Sequence, residues 1–274
     1  MRYSLSVRIA ESPRDKTEIV TSFPALAAIA REQGYAGVCL RASVVSVDSP
    51  PEQVRAVREA VVSSQLEVSM ITGDIHLAAN DERASAMLRD IDPYLNLAET
   101  LGARLIRVAL RSPADIPYAR RAAERAARRG LVLAHQLHWG TLFETVEAAL
   151  DTLAEIDRPE AFGITYEPAN LLLCGQEWKP AIERLAPFLV NAYYSNAVLT
   201  PDGPLGVPTN PDVRFRYAPI DDPDGISLVD VLSTLRTSGY DGWFTVHQPL
   251  LPGQNVAQAA ADAAAAIQAA RADS

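Results

Sequence analysis

The sequence predicts one α/β domain spanning 1–274, folded as a (β/α)8 TIM barrel. Three observations lead there. Eight short apolar runs are each followed by at least some helical pattern, which implies parallel strands joined by right-handed crossovers. A length of 274 residues suits one such barrel. The competing architecture, a doubly wound open sheet, should carry GxGxxG or a GxxxxGK loop after a strand, and neither occurs.

The elements run in order along the chain. Tyr3 to Ile9 reads as the first strand, and Lys16 to Gln33 as a helix ended by Gly34. Gly37 to Leu40 is the second strand, and Pro51 to Ser64 a helix with Pro and Glu in its first turn. Glu67 to Thr72 is the third strand, followed by a long helix, Asp81 to Leu101, interrupted near Pro93 and closed by Gly102. Arg104 to Ala109 is the fourth strand, with a helix from Pro113 to Arg129. Leu131 to Gln136 and Phe162 to Glu167 are the fifth and sixth strands, followed by helices Leu142 to Ile156 and Trp178 to Leu185. Leu189 to Tyr194 is the seventh strand. Residues 196–226, rich in Pro, Gly and Asp, read as a long irregular loop that would lie over the barrel mouth, as a lid or as a variable surface insertion. Ser227 to Ser238 is a serine-capped helix, Trp243 to His247 the eighth strand, and Gln254 to Arg271 a final alanine-rich helix.

Composition narrows the function classes. A net charge of −9 gives no pull toward phosphate backbones, so nucleic acid is not an expected partner. Lys16 and Lys179 are the only lysines, which excludes a multi-lysine mechanism. The two cysteines, Cys39 and Cys174, form no CxxC and so no thiolate zinc knuckle. The early charges of MRYSLSVRIAESPRDK argue against a signal peptide, and no run of about 18 apolar residues spans a membrane. A cytoplasmic location without membrane contact is expected.

Polar residues gather at the ends of the strands. All four histidines, His76, His135, His138 and His247, sit at or just past a strand's C-terminal end, the face where barrel active sites are built. Glu167 follows the apolar run FGITY, so it is a candidate general base or metal ligand, or else an ion-pair partner of Arg107. Gln136 should face inward with Glu167 and His247, and buried it needs a ligand, a metal or a neighbour. Arg107 and Arg111 bracket the end of the fourth strand and Arg41 ends the second; they suit an anionic substrate or form rim ion pairs. Trp139, Tyr193 and Tyr194 could wall a substrate or pack the rim, and Asn170 could bind substrate or cap the next helix.

The segments LGARLIRV, LVLAHQLHWGTLFETVEAAL, FGITYEPANLLLCGQ and GYDGWFTVHQP, within residues 70 to 250, resemble in order the xylose isomerase-like barrels, among them sugar phosphate isomerases/epimerases. The resemblance implies a divalent metal held by Glu, Asp or Glu, His and Glu at the ends of strands five to eight. The metal polarises a ketose or aldose while a carboxylate moves a proton. Carried over, those positions are Gln136, Glu167, Tyr193 (with Asn196 close by) and His247, so only Glu167 matches. A ligand set of about −1 instead of about −3 should hold Mg²⁺ and Mn²⁺ poorly. Two readings stay open. Gln136, Glu167 and His247, with His135 or His138, hold Zn²⁺, Co²⁺ or Ni²⁺. Alternatively no metal is present; His247, His135 and Glu167 then do acid/base work, with Arg107 or Arg111 stabilising negative charge.

The function expected is an isomerase or epimerase moving a proton next to a carbonyl on a small sugar, polyol or keto compound. In that role His76, His138, Trp139, Asn170, Tyr193 and Asn196 join the arginines in binding substrate. The alternatives are a metal-independent lyase or other biosynthetic enzyme, a non-catalytic binding barrel recognisable by a collapsed mouth, and a three-zinc nuclease, for which four histidines and an acidic surface are unsuited. Barrels of this kind often pair, so a homodimer is one option, and the sequence leaves the oligomeric state open.

Overall fold

The computed structural model describes residues 1–272; residues 273 and 274 of the expected domain lie outside the described residues. Along the first half of the chain, β1 (Arg2–Ser6) leads through a loop to α1 (Phe23–Glu32), β2 (Gly37–Arg41), α2 (Pro51–Ser63) and β3 (Glu67–Thr72). Two helices, α3 (Ile75–Ala79) and α4 (Asp92–Leu101), precede β4 (Leu105–Val108), followed by α5 (Ile116–Ala127) and β5 (Val132–Gln136). Then come α6 (Val146–Ile156), β6 (Phe162–Tyr166), α7 (Pro168–Leu173), α8 (Trp178–Leu185) and β7 (Leu189–Tyr194). Three short strands, β8 (Ala197–Leu199), β9 (Leu205–Val207) and β10 (Asn210–Tyr217), lead to α9 (Leu228–Thr237), β11 (Trp243–Val246) and α10 (Val256–Ala272).

Eight strands close into a barrel in the order β1-β11-β7-β6-β5-β4-β3-β2, every pairing parallel. Because helices cover the outside of a parallel sheet, its strands are buried on both faces. Two apolar regions result. The larger lies between strands and helices, with Leu5, Val38, Ile106, Leu133, Ile164 and Phe244 among its members. The smaller, Cys39, Met70, Leu105, Ala134 and Tyr193, fills the barrel itself.

The first strand ends at Ser6 rather than Ile9 and passes into a 3-10 turn at Val7–Ala10, and the helices expected from Pro113 and Leu142 begin three and four residues later. Three further elements differ more. The helix expected from Lys16 starts instead at Phe23, because Pro24 in the first turn lacks the N–H that only the first turn can spare. Residues 11–20 form a loop held by an antiparallel bridge between Glu11 and Ile19. Likewise the helix expected from Asp81 is reduced to α4, which begins beside Pro93, preceded by α3 and a single turn at Ala86–Arg89.

The segment expected to be irregular, 196–226, is largely a three-stranded antiparallel sheet in the order β8-β10-β9. Gly203 sits where this sheet is tightest: a Cβ there would lie 2.4 Å from the backbone nitrogen of Phe215. Asn196 ties the segment to the barrel. Its amide donates to the carbonyls of Pro219 at 2.8 Å and Asp222 at 3.1 Å, and its side-chain oxygen accepts from the Ile226 N–H at 2.8 Å.

Candidate active site

Alternate side chains of each strand point into the barrel. Two residues past the inner cluster members on β2, β3, β4, β5 and β7 stand Arg41, Thr72, Arg107, Gln136 and Ser195. The same parity gives Ser6 on β1, Glu167 after β6 and His247 after β11. These last inward residues form a polar collar at the C-terminal ends of the strands, and all eight are buried. A cavity of about 280 Å³ opens above it, lined from the collar by Arg41, Arg107, Gln136, Glu167 and His247. Larger grooves exist elsewhere on the surface, but they do not reach the collar.

The collar is built around Glu167. Its Oε2 accepts from the Gln136 amide and, at 2.8 Å, from the Asn170 amide, while Oε1 accepts from the Ser195 hydroxyl at 3.3 Å. Burial raises the Glu167 carboxyl to about 6, against the opposing pull of Gln136, Arg107, Ser195 and Arg41. Most of it is therefore a carboxylate at pH 7, and near enough to neutrality to exchange a proton.

Opposite Glu167 the cavity is cationic. Arg8, Lys16, Arg41 and Arg107 all line it. Buried Glu11 takes up Arg41, through Nε at 2.6 Å, and approaches Arg8 at 3.3 Å; the Ser43 hydroxyl also donates to it at 2.8 Å. Two carboxylates, Glu11 and Glu167, thus face four cations. The site is positive inside a chain of net charge −9. Lys16 is exposed as a residue yet lines the cavity, and desolvation, then Arg8, Arg41 and Arg107, bring it down to about 8. Arg107 makes no hydrogen bond and no ion pair among the described residues, and its Nε is fully buried.

His247 is neutral: burial, then Arg41, Arg107, Arg8 and Lys16, hold it well below its usual value. Its ring lies flat on Tyr193, with centroids 4.0 Å apart, and its Nδ1 shares a 3.0 Å hydrogen bond with the Ser6 hydroxyl. His138 lines the outer cavity beside Trp139, and burial lowers it to about 3.

Several residues expected at the site lie elsewhere. His135 has the opposite parity to Gln136 and points away from the barrel axis. Its Nε2 accepts from the Leu110 N–H at 2.8 Å, its Nδ1 donates to the Gln136 carbonyl at 2.7 Å, and its ring stacks on Phe143. Both nitrogens are committed, and burial brings it to about 3, so it has no lone pair or proton to offer a substrate. His76 is paired with Asp81 at 2.7 Å outside the cavity, and Arg111 donates to the Asn80 carbonyl beside a neighbouring groove. Asn196 spends its side chain on the segment from Pro219 to Ile226. Tyr193 lies one layer below the collar with its hydroxyl 3.2 Å from Cys39 Sγ, so the inward position at the end of β7 is Ser195. Period-two parity from Tyr193 points to Ser195. Contributors not expected from the sequence include Ser195 on Glu167, Arg8 and Lys16 from the β1–α1 region, and Phe215 and Tyr217 from β10, which with Leu205 and Gly206 roof the cavity.

A divalent metal on Gln136, Glu167 and His247 does not fit this donor set. Glu167 is the sole anion of the trio, and both its oxygens already receive hydrogen bonds. Arg41 and Arg107 face the same space, and each would repel the ion. Among the described residues no three His, Cys, Asp or Glu side chains come together as a metal site.

The family model described as xylose isomerase-like TIM barrel matches residues 27–270. No curated protein matches the sequence. Solved structures superpose over nearly the whole chain. The probable 3-DHS dehydratase AsbF of Bacillus anthracis is 19% identical with a TM-score of 0.69, over 98% of this chain and 99% of that one. A xylose isomerase-like TIM barrel protein of Mycobacterium smegmatis in complex with magnesium is 14% identical with a TM-score of 0.70, over 99% and 96%. A D-allulose 3-epimerase of Methylomonas sp. is 11% identical with a TM-score of 0.68, over 98% of each chain.

Proposed function

The chain belongs to the xylose isomerase-like TIM barrel family, and on that premise we propose that it is an isomerase- or epimerase-type enzyme, moving a proton on a carbon next to a carbonyl in a small anionic hydroxy-keto compound. The observation that carries this reading is Glu167: a buried carboxylate near 6, opening onto a small cavity whose other charges are positive.

Glu167 takes the proton. Gln136, Asn170 and Ser195 fix the carboxylate's orientation, so little reorganisation precedes transfer. The electron pair left behind moves onto the carbonyl oxygen, where a neutral His247 and the cationic wall stabilise it. Lys16 and Arg8, at the outer part of the cavity, hold the substrate's carboxylate or phosphate. Phe215 and Tyr217 exclude water from above. A lyase shares the first step and then expels a hydroxyl from the neighbouring carbon. The fold likeness to both an epimerase and a dehydratase is compatible with either outcome. A non-catalytic barrel should have a collapsed mouth, and a cavity of about 280 Å³ speaks against it.

The test is deuterium exchange followed by proton NMR, with hydroxypyruvate and dihydroxyacetone phosphate as probes. The wild type should wash deuterium into the carbon beside the carbonyl, and Glu167→Gln should not. Exchange at equal rates in both proteins, or in neither, refutes the assignment.

A further inference from the structure

Arg107 is an unusual residue for a barrel interior. It is 4% exposed, yet among the described residues no carboxylate lies within ion-pairing distance and no group accepts its hydrogen bonds. Buried guanidinium groups are normally paired, because an uncompensated buried charge costs several kcal/mol. Arg41, one strand further than the adjacent Thr72, obeys that rule through Glu11. Arg107 does not. It is also not alone. Among the described residues four buried side-chain atoms lack a partner, and three of them, Thr72 Oγ1, Arg107 Nε and Gln136 Oε1, belong to the collar on the adjacent strands β3, β4 and β5. Unsatisfied groups of this kind call for an explanation, and a missing ligand is one.

Resting on the proton-transfer reading above, we propose that the Arg107 guanidinium is the resident electrophile of this site, taking the place of a divalent cation, and that the reaction it serves is metal-independent. The donor set argues for exchange of one cation for another. Gln136 and His247, the positions implied to be glutamates in metal-binding relatives, are uncharged here, while a fixed positive charge stands on the strand next to Gln136. A guanidinium presents a planar fork that matches two oxygens, so it would grip a carbonyl oxygen together with an adjacent hydroxyl or carboxylate oxygen. Gln136 Oε1 would accept from a hydroxyl hydrogen. The step is balanced: Glu167 removes the proton, the C–H pair becomes the C=C bond, and the carbonyl pair moves to oxygen as an enolate held by Arg107. Delivery of that proton from Glu167 to the neighbouring carbon, with the hydroxyl proton passing to the former carbonyl oxygen, completes an isomerisation; reprotonation of the original carbon on its opposite face completes an epimerisation, and no electrons leave the substrate.

Oxalate, a planar dianion shaped like such an enolate, is the probe. Isothermal titration in the presence of EDTA should show one oxalate per chain. Arg107→Gln should weaken it at least about 10-fold, and Arg107→Lys, which keeps the charge but not the fork, should fall between. Arg107→Gln should melt no lower than the wild type, because it removes an unpaired buried charge. Mn²⁺ titration followed by electron paramagnetic resonance should show no stoichiometric site in the wild type. Oxalate binding that requires Mn²⁺, or that survives Arg107→Gln unchanged, overturns the proposal. Deuterium exchange separates it from the reading beneath it. Exchange that depends on Glu167 but appears only with added metal keeps the base and removes Arg107. Metal-free, Arg107-dependent oxalate binding without any exchange keeps Arg107 and removes the proton transfer.

Discussion

The cavity holds two groups that titrate on either side of neutrality, and their signs are opposite. In the proposed reaction Glu167 is the base, so it works when ionised. Held up to about 6, it is lost as pH falls, and at pH 5 about one-tenth remains ionised. In the same proposal Lys16 holds the substrate anion, so it works when protonated. Brought down to about 8, it is lost as pH rises, and at pH 9 about one-tenth remains charged. The plot of log kcat/KM against pH should therefore be a bell with limbs near 6 and 8, falling about tenfold by pH 5 and by pH 9. Lys16→Arg is the informative perturbation. A guanidinium stays charged throughout the measurable range, so the alkaline limb should vanish while the acid limb stays near 6. Lys16→Met should also lose the alkaline limb, but with kcat/KM lowered by roughly 10- to 100-fold, the worth of a charge-assisted hydrogen bond. The assay is initial rate on the probe that shows deuterium exchange, from pH 4.5 to 10. An alkaline limb that persists near 8 in Lys16→Arg refutes the role given to Lys16.

Three further outcomes follow from the buried contacts. Glu11→Gln strips Arg41 of its partner inside the protein and should cost about 3–5 kcal/mol, lowering the melting temperature by roughly 6–20 °C in calorimetry. His135→Ala leaves the Leu110 N–H unpaired and should cost roughly 1–3 kcal/mol or more in denaturant unfolding, while both limbs of the pH profile stay in place; a displaced limb would return His135 to the chemistry. Asn196→Ala removes three hydrogen bonds that pin 218–226, and limited proteolysis within 197–226 should become faster than in the wild type.

The sequence is informative about the barrel because parallel strands buried on both faces leave mostly apolar runs such as GVCL and FGITY. Glu67–Thr72 and Leu189–Tyr194 agree with expectation at both ends for that reason. Helix starts were harder to read. Residues 16–22 are polar enough to continue a helical pattern backwards, and only Pro24 marks where α1 begins. Strands of three residues such as β8 and β9 are too short to show alternation, so the three-stranded sheet leaves no signal in the sequence. At the site, position at a strand end proved a weaker guide than parity. His135 and Gln136 are neighbours at the same strand end, yet one faces helices and the other the cavity. Lys16 was unreadable as a site residue because its placement depends on a loop pinned by buried Glu11, a contact that arises only in the folded chain.

The barrel closes by joining its first strand to its last: Leu5 pairs with Val246, and Ser6 meets His247 across 241 residues of chain. During synthesis, β1 to β10 emerge before β11 exists. Until β11 leaves the ribosome, a gap stands where it belongs, and β1 and β7 both present open edges. Contacts so distant in sequence form slowly. The Ser6–His247 pairing makes the collar a late product of translation: a chain that stops short of β11 carries most of the site's residues without its wall. Such a fragment would expose paired-strand edges to other chains, and it is there, rather than in the mature barrel, that this protein is most open to misassembly.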